Sequence, residues 1–345
     1  MCALRLPPVT AIAQCRRRRS SAYHVARMHA LVSGAAGFIG STLVDALLAA
    51  GWRVRAVDAF TDSYDPAAKR ANLVAASTHP ACTVVEADLC TTPLAPLLDG
   101  VDVVFHLAAR PGVRRSWAGD FGAYVEANIT ATQRLLDACA DAPHLRRLVY
   151  ASSSSVYGDA APSPSTEAAL PRPFSPYGVT KLAGEHLCTA YADNHGVPTV
   201  ALRYFTVYGP RQRPDMAFAR LIDAALAGRA FPRFGDGGQR RDVTFVDDVV
   251  GATMAAAVTP DVAPGTVCNI SGGGAHRLDE AISIVGELMG RPVAVEQLPA
   301  QPGDVRSTSG DATAARTLLG WAPTVGLRDG LARQISWHRS HRPAE

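Results

Sequence analysis

The stretch that decides the fold is His29–Gly40, HALVSGAAGFIG, in which a short apolar segment runs into three spaced glycines. The apolar part, His29–Ser33, predicts a buried β-strand, and Ser41–Ala50 predicts an amphipathic helix directly after the glycines. Free N–H groups at the start of such a helix bind anions, phosphates among them. This strand–turn–helix unit therefore predicts a dinucleotide-binding site.

Each glycine has its own role at such a turn. Gly34 permits the tight turn, Gly37 lets backbone approach a pyrophosphate, and Gly40 allows close packing of helix and strand. The spacing is G-x-x-G-x-x-G, which differs from the G-x-G-x-x-G of ordinary dehydrogenases. Asp58 ends the next strand, where it should hydrogen-bond the adenosine ribose diol and repel a 2′-phosphate. The pattern therefore favours NAD over NADP.

Strand-like and helical segments alternate through the first two thirds of the chain. The predicted strands are His29–Ser33, Arg53–Asp58, Thr83–Asp88, Val101–Leu107, Arg147–Ser152 and Thr199–Arg203. The predicted helices between them are Ser41–Ala50, Tyr124–Ala140 and Pro176–His195. This alternation predicts an α/β protein with a parallel sheet covered on both faces, wound in both directions as a Rossmann fold.

After Gly209 the alternation loosens into a segment rich in Pro, Gly and Arg. We expect residues 28–209 to form the NAD-binding domain, with residues 243–270 returning to it. Residues 210–242 and 271–345 should form a smaller, discontinuous C-terminal α/β lobe that binds substrate over the carboxyl ends of the strands.

The composition fits a globular enzyme. The chain has 345 residues, of which 48% are hydrophobic and 19% charged, and no stretch approaches the ~18 apolar residues that span a bilayer. A net charge of +3 is too small to predict a nucleic-acid partner. The seven cysteines are scattered without a Cys-x-x-Cys pair, so we expect reduced thiols, a cytoplasmic location and no metal site.

Residues 1–27 differ from the rest, with Arg16–Arg19 set among Pro, Ser and Ala. They have the composition of a transit peptide, rich in Arg and Ser and poor in acids. Alternatively they form a disordered, dispensable tail, with Met28 opening the folded protein. We favour the second interpretation because strand-like sequence begins directly after Met28.

Tyr177 and Lys181 are four residues apart on the predicted helix Pro176–His195, so both lie on one face. A lysine ammonium stabilises a phenolate, which can then accept a proton near neutral pH. Most such pairs are solvated helix surface. Downstream of the glycine turn and of the run Ser152–Gly158 (SSSSVYG), the pair indicates redox chemistry on an alcohol.

Together these motifs resemble the extended short-chain dehydrogenase/reductases that modify nucleotide sugars. The resembling segments are Gly34–Gly40, His106–Ala109, Ser152–Gly158, Tyr177–Lys181 and Arg203–Pro210. The resemblance implies that Tyr177 is the acid/base on the sugar 4-hydroxyl and that Ser153 bridges this oxygen and Tyr177. It also implies that Lys181 holds the nicotinamide ribose and lowers the tyrosine pKa.

The resemblance implies a wider set of NAD contacts, and a 4-keto sugar that is reduced again on its opposite face, which inverts the stereocentre. The implied cofactor residues are Gly34, Gly37, Phe38, Ile39, Asp58, Asp88, Leu89, Leu107, Ala108, Ala109, Tyr177, Lys181 and Tyr204. Asp88 fits a helix cap equally well. His106, at a strand end, is interpreted as structural.

The branch of the family follows from Ser154 and Ser155. Dehydratases and decarboxylases of this family keep carboxylates near these positions, so their absence favours a simple epimerase. Thr206 and the run Gly209–Met216 resemble the UDP-glucuronate 4-epimerases, in which Arg213 would bind the sugar carboxylate through two hydrogen bonds. The alternative is that Arg213 only pairs with Asp215 on a surface loop.

Two further segments resemble loops that hold UDP. Gly235–Asp242 supplies Gln239 and Arg241, the latter facing the diphosphate, and Gly303–Arg306 supplies Arg306. Gln301 stands where many relatives have Arg, so Arg306 would replace that charge.

The sequence therefore predicts an NAD-dependent 4-epimerase that converts UDP-glucuronate to UDP-galacturonate. The alternatives are a UDP-glucose/UDP-galactose 4-epimerase, a decarboxylase or dehydratase of the same fold, or a non-catalytic NAD-binding protein. The intact Tyr177/Lys181 pair argues against the last, because a sensor needs no proton acceptor. The resemblance also implies a homodimer built from the helices Tyr124–Ala140 and Pro176–His195.

Overall fold

The computed structural model describes residues 28–118, 120–159, 163–299 and 305–341, so both interpretations of residues 1–27 lie outside the described residues. The strands are β1 His29–Ser33, β2 Arg53–Asp58, β3 Cys82–Glu86, β4 Val103–His106, β5 Arg147–Ser153, β6 Thr199–Tyr204, β7 Thr206–Tyr208, β8 Phe231–Phe234, β9 Arg240–Phe245, β10 Thr266–Ile270, β11 Ala275–Arg277, β12 Val295–Leu298 and β13 Ser307–Thr308. The helices are α1 Phe38–Ala49, α2 Pro66–Asn72, α3 Val74–Ser77, α4 Ala95–Leu98, α5 Phe121–Val125, α6 Ala131–Ala140, α7 Pro176–His195, α8 Ala217–Leu226, α9 Val246–Val258, α10 Leu278–Met289, α11 Thr313–Leu319 and α12 Leu327–His341.

The main sheet has seven strands in the order β10-β6-β5-β4-β1-β2-β3. Every neighbouring pair is parallel. The chain winds outward through β2 and β3, then returns to the other side of β1 with β4. This reversal confirms the predicted doubly wound Rossmann fold, and ligands in such sheets bind where the winding reverses, at the carboxyl ends of the strands.

Helices cover both faces of the sheet because its strands are apolar on both sides. On one face α1 packs against α9, and their side chains join one large buried core. On the other face α6 packs against α7, with Leu135, Leu136 and Cys188 buried in a second core. The sheet is therefore held rigidly from both sides, and its strand ends form a fixed floor for a site.

The predicted helix α7 begins and ends where its sequence signals place it. The Ser175 hydroxyl accepts from the N–H of Gly178 at 3.1 Å, and Pro176 occupies the first turn, where its missing N–H is harmless. Gly196 ends the helix at a φ of +67°, a left-handed conformation that glycine adopts without strain.

The predicted helix Tyr124–Ala140 is helical throughout, but it begins three residues earlier and its first part is irregular. The structure has α5 from Phe121, a π-helical turn Glu126–Thr130, and then α6. The physical reason is the side chain of Asn128, which is buried within the turn. Its Oδ1 accepts from the Arg110 N–H at 2.6 Å, and its Nδ2 donates to the Thr180 hydroxyl at 2.9 Å. These tertiary bonds favour the irregular turn.

After β7 the described chain returns to the main sheet through β10, which lies beside β6. Outside that sheet, β7, β9, β11 and β13 form a small mixed sheet, and β8 pairs with β12. The division of the chain into an NAD-binding domain and a substrate lobe stays a prediction. Within the described ranges, no helix is both long and apolar enough to cross a membrane, and no cluster of potential metal ligands occurs.

Candidate active site

Two adjoining cavities share part of their lining, and the first lies over the carboxyl ends of the main strands. The first has a volume of about 510 Å³ and the second about 380 Å³. Both are lined by Thr206, Arg213 and Met216, so these residues stand at their junction. The first cavity is lined by every predicted cofactor residue: Gly34, Gly37, Phe38, Ile39, Asp58, Asp88, Leu89, Leu107, Ala108, Ala109, Tyr177, Lys181 and Tyr204.

The glycine turn is built for close approach of backbone. Gly34 has a φ of +70°, and a Cβ there would lie 2.7 Å from the backbone nitrogen of Ala108. A Cβ on Gly40 would lie 2.1 Å from the Gly34 carbonyl oxygen. Only glycine fits at either position, and the turn leaves the N-terminus of α1, capped by Gly37 without a side-chain hydrogen bond, on the cavity wall. This arrangement fits a pyrophosphate.

The Asp58 carboxylate is buried at the end of β2. One oxygen accepts from the Ala36 N–H at 2.9 Å and the other from the Phe60 N–H at 2.8 Å. These bonds fix the carboxylate against the wall of the first cavity while leaving lone pairs for the hydroxyls of a ribose. Lys69, which the sequence reasoning missed, lines the same region and donates to the Thr61 carbonyl at 2.7 Å.

Tyr177 lies in the first cavity with its hydroxyl hydrogen-bonded to Ser153. Burial raises the pKa of Tyr177, while the Ser153 hydrogen bond and the charge of Arg213 lower it. Ser153 is itself held by Ser155, whose N–H donates to the Ser153 hydroxyl at 3.1 Å. The structure thus brings together the predicted acid/base and its predicted bridge.

Lys181 is buried one helical turn beyond Tyr177. Its ammonium donates to the Ala151 carbonyl at 2.7 Å and lies 4.9 Å from the centre of the Tyr150 ring. Burial lowers the pKa of Lys181 to about 8, partly offset by Cys188 and Glu185. An ammonium has three donors, and the described protein atoms occupy one, so the others are available to a ribose in the first cavity.

Among the groups of the structure, Ser153 and Arg213 lower the pKa of Tyr177, and burial outweighs both. That Lys181 also lowers this pKa stays a prediction.

A buried ion pair supports this site, and sequence reasoning missed it. The guanidinium of Arg203 binds both oxygens of Glu185, with Nε 3.0 Å from Oε1 and Nη2 2.8 Å from Oε2. Arg203 also donates to the Tyr157 hydroxyl at 2.8 Å, and Ser152 donates to Glu185. Glu185 lies four residues after Lys181, a helical spacing that could have indicated it. The network ties β5, β6 and α7 together beneath the catalytic groups.

The predicted substrate residues divide between the cavities. Ser153, Ser154 and Ser155 line the first, Gln239 and Arg241 line the second, and Thr206 and Arg213 line both. Arg306 is not brought to either cavity: its side chain is 84% exposed and lies 3.9 Å from the Asp236 carboxylate. Its backbone carbonyl accepts from the Arg240 N–H at 3.0 Å beside β13. Gln301, Gly303 and Asp304 lie outside the described residues.

The second cavity contains more basic side chains than the segment Gly235–Asp242, which was expected to bind UDP, supplies. Arg114 and Arg220 lie over the Phe234 ring, 5.1 Å and 5.9 Å from its centre, and all three residues line this cavity. An aromatic surface beside several guanidinium groups suits a base and a diphosphate. No spacing in the sequence links these residues, because they come from three separate segments.

Comparison with known proteins places the chain in an enzyme family. Residues 30–271 match the model of the NAD dependent epimerase/dehydratase family. The chain belongs to this family. The resemblance inferred from the motifs is therefore confirmed, and the match spans both the glycine turn and the Tyr177/Lys181 pair.

Individual members of the NAD dependent epimerase/dehydratase family are similar over nearly the whole chain. A UDP-glucuronic acid 4-epimerase from Bacillus cereus, solved with UDP-glucuronic acid and NAD, is 44% identical with a TM-score of 0.88, covering 91% of this chain and 99% of its own. The Bacillus subtilis (strain 168) protein named uncharacterized UDP-glucose epimerase YtcB is 42% identical, covering 90% of this chain and 98% of the relative. A UDP-glucuronate 4-epimerase from Thermodesulfobacterium geofontis (strain OPF15) is 34% identical, covering 90% and 96%.

The Ser153 hydrogen bond leads to a prediction on pH dependence. Because this bond lowers the pKa of Tyr177, Ser153→Ala should raise that pKa. Proton abstraction needs the phenolate, so the rising limb of kcat/KM should move to higher pH in the variant. The loss at fixed pH should be up to about tenfold, as for one hydrogen bond. A pH–rate profile of both proteins measures the shift, and a limb that stays in place or moves to lower pH contradicts it.

Proposed function

We propose that this chain is an NAD-dependent UDP-glucuronate 4-epimerase, an isomerase that forms UDP-galacturonate through a transient 4-keto sugar. The observation that carries the proposal is the position of Arg213. It lines the cavity that holds Tyr177 and also the basic cavity beside it. A uronate sugar at this junction would meet both the acid/base and a guanidinium for its carboxylate.

Three observations indicate that the first cavity fits NAD. The glycine turn has no room for a Cβ, the Asp58 carboxylate is held in place by backbone N–H groups, and the Lys181 ammonium has donors available for a ligand. These residues would hold the pyrophosphate, the adenosine ribose and the nicotinamide ribose respectively. When bound, NAD accepts a hydride from the sugar carbon and returns it to the opposite face.

The residues of the chain supply the rest of the chemistry. Tyr177 removes the proton of the 4-hydroxyl and later returns it, while Ser153 holds the tyrosine and sugar oxygens together. A 4-keto uronate is a β-keto acid, which loses CO2 when its carboxylate turns out of the sugar plane. Arg213, with Thr206 and Ser154 as smaller donors, would hold the carboxylate and oppose that loss.

A second candidate is a UDP-glucose/UDP-galactose 4-epimerase. It is favoured by the ion pair between Arg213 and Asp215, which already gives the guanidinium a carboxylate. Decarboxylation and dehydration are less well supported, since Ser154 and Ser155 stand at the positions of the carboxylates that those reactions use. Incubating the protein with UDP-glucuronate and separating the nucleotide sugars decides among them. UDP-galacturonate supports the proposal, whereas UDP-pentose or unchanged substrate contradicts it.

The cofactor assignment gives a prediction of its own. The purified protein should carry tightly held NAD, because the Asp58 carboxylate, fixed at the end of β2, would repel a 2′-phosphate. Denaturation and chromatography of the released nucleotide should yield NAD. Recovery of mainly NADP, or of no nucleotide together with no activation by added NAD, contradicts the assignment.

The proposal includes a homodimer. The N-terminal ends of α5 and α7 and the segments before them expose large apolar side chains, namely Trp117, Phe121, Phe174 and Val179. Such side chains, close to the two helices expected to pair, suit burial against a second copy. We expect a dimeric mass by light scattering at micromolar concentration, and a monomeric mass contradicts it.

A cytoplasmic location also belongs to the proposal. The described cysteines, Cys82, Cys90, Cys139, Cys188 and Cys268, are all free thiols. Thiols of this kind persist in a reducing compartment.

A further inference from the structure

Arg213 does not stand alone at the junction of the two cavities. Its Nε lies 3.0 Å from one oxygen of Asp215, and its Nη2 lies 3.1 Å from the other. The two side chains are 20% and 28% exposed, so the pair is largely shielded from solvent. Shielding and two-pronged geometry make such a pair stronger than an ordinary surface ion pair.

A guanidinium has two edges that can each bind a carboxylate in this way. Asp215 occupies the edge formed by Nε and Nη2. The other edge, formed by Nη1 and the second hydrogen of Nη2, has no hydrogen-bond partner among the described residues. Arg213 lines both cavities, and because Asp215 already holds the first edge, the second edge is the one left for a ligand.

We propose that Asp215 is a positioning residue that determines substrate specificity, because it holds Arg213 by one edge and presents the other edge to the carboxylate of a uronate sugar. The proposal rests on the proposed function. It also reconciles the two interpretations of Arg213 that the sequence left open, since pairing with Asp215 and binding a substrate carboxylate use different edges.

The surrounding charge supports this assignment. Arg115 approaches Asp215 at 4.0 Å and donates to the Ser63 carbonyl at 2.7 Å. Burial raises the pKa of Asp215, but Arg213 and Arg115 lower it by more, so the pKa lies below its ordinary value. The carboxylate is therefore ionised at neutral pH. Two guanidinium groups and one carboxylate leave a single net positive charge, which matches one sugar carboxylate. Without the Asp215 carboxylate the two cations would repel each other, and Arg213 would lose the contact that holds it in place.

The test is Asp215→Asn, which keeps the shape of the side chain and removes its charge. The matched control is Asp45→Asn, because Asp45 pairs with Arg211 at 2.8 Å, a neighbouring ion pair that lines neither cavity. Binding of UDP-glucuronate and of UDP-glucose is measured by calorimetry on each NAD-loaded protein. Asp215→Asn should weaken UDP-glucuronate binding about tenfold, the loss expected for one charged hydrogen bond, and leave UDP-glucose binding nearly unchanged. Asp45→Asn should alter neither.

A double variant separates positioning from a structural role. If Asp215 acts through Arg213, adding Asp215→Asn to Arg213→Ala should cause no further loss of UDP-glucuronate binding. The inference is overturned if Asp215→Asn leaves UDP-glucuronate binding unchanged or tightens it, which would mean that Asp215 competes with the substrate. It is also overturned if both substrates weaken equally. A parent protein without any preference for UDP-glucuronate would instead reject the proposed function.

Discussion

Tyr177→Phe is expected to abolish epimerisation while leaving NAD binding intact. The change removes one hydroxyl, and with it the phenol beside Ser153 that we propose takes the proton of the sugar 4-hydroxyl. General acid–base catalysis contributes typically about 10²–10⁴-fold, so kcat should fall by that range. The ring itself stays, so the walls of the first cavity are preserved. Turnover of UDP-glucuronate and the amount of NAD released on denaturation measure the two effects.

A matched control for Tyr177→Phe is Tyr191→Phe, on the same helix but outside both cavities. The Tyr191 hydroxyl accepts from Gln133 Nε2 at 3.0 Å and donates to Asp137, so this variant also loses tyrosine hydrogen bonds. It should retain the parent rate. A Tyr177→Phe protein within a few-fold of the parent would show that another group moves the proton.

Arg213→Ala is expected to damage the reaction of UDP-glucuronate far more than that of UDP-glucose. A hydrogen bond to a charged group contributes about 1.5–3 kcal/mol, so binding of the uronate should weaken roughly ten- to a hundredfold. A neutral hexose has no carboxylate to lose. The variant should also release some UDP-pentose, because a 4-keto acid whose carboxylate is free to turn can lose CO2. Values of kcat/KM for both substrates, with chromatography of the products, test this.

The outcome that contradicts this prediction is equal damage to both substrates. Arg213 would then serve the diphosphate in the second cavity or the fold, and the glucuronate assignment would lose its main support. Arg211→Ala is the control, because Arg211 pairs with Asp45 and lines neither cavity.

Local signals explain why much of the fold could be predicted. Strands β1 and β2 and helix α7 have the predicted bounds. Glycine turns, a serine cap and apolar runs determine where an element begins and ends through residues that are close in sequence. The residues that the resemblance implied for the cofactor line one cavity, and most of them come after strands, because the residues after parallel strands meet at one edge of the sheet.

Long-range partners explain what could not be predicted. That Arg306 stays in solvent and that Arg114 and Arg220 share Phe234 both depend on how distant segments approach. The helix break at Glu126–Thr130 depends on Asn128 meeting a loop and a neighbouring helix. No pattern of spacing in a single chain carries that information.

The π-helical turn Glu126–Thr130 makes this part of the chain sensitive to its exact length. A π-helical turn holds about one residue more than an α-helical turn, so deleting one residue here would regularise the helix. Asn128 would then lose its bonds to Arg110 and Thr180, and Arg110 lies on the wall of the first cavity. A deletion that improves the local helical geometry would therefore disturb the wall of the active site. The extra residue of the turn is needed to place Asn128.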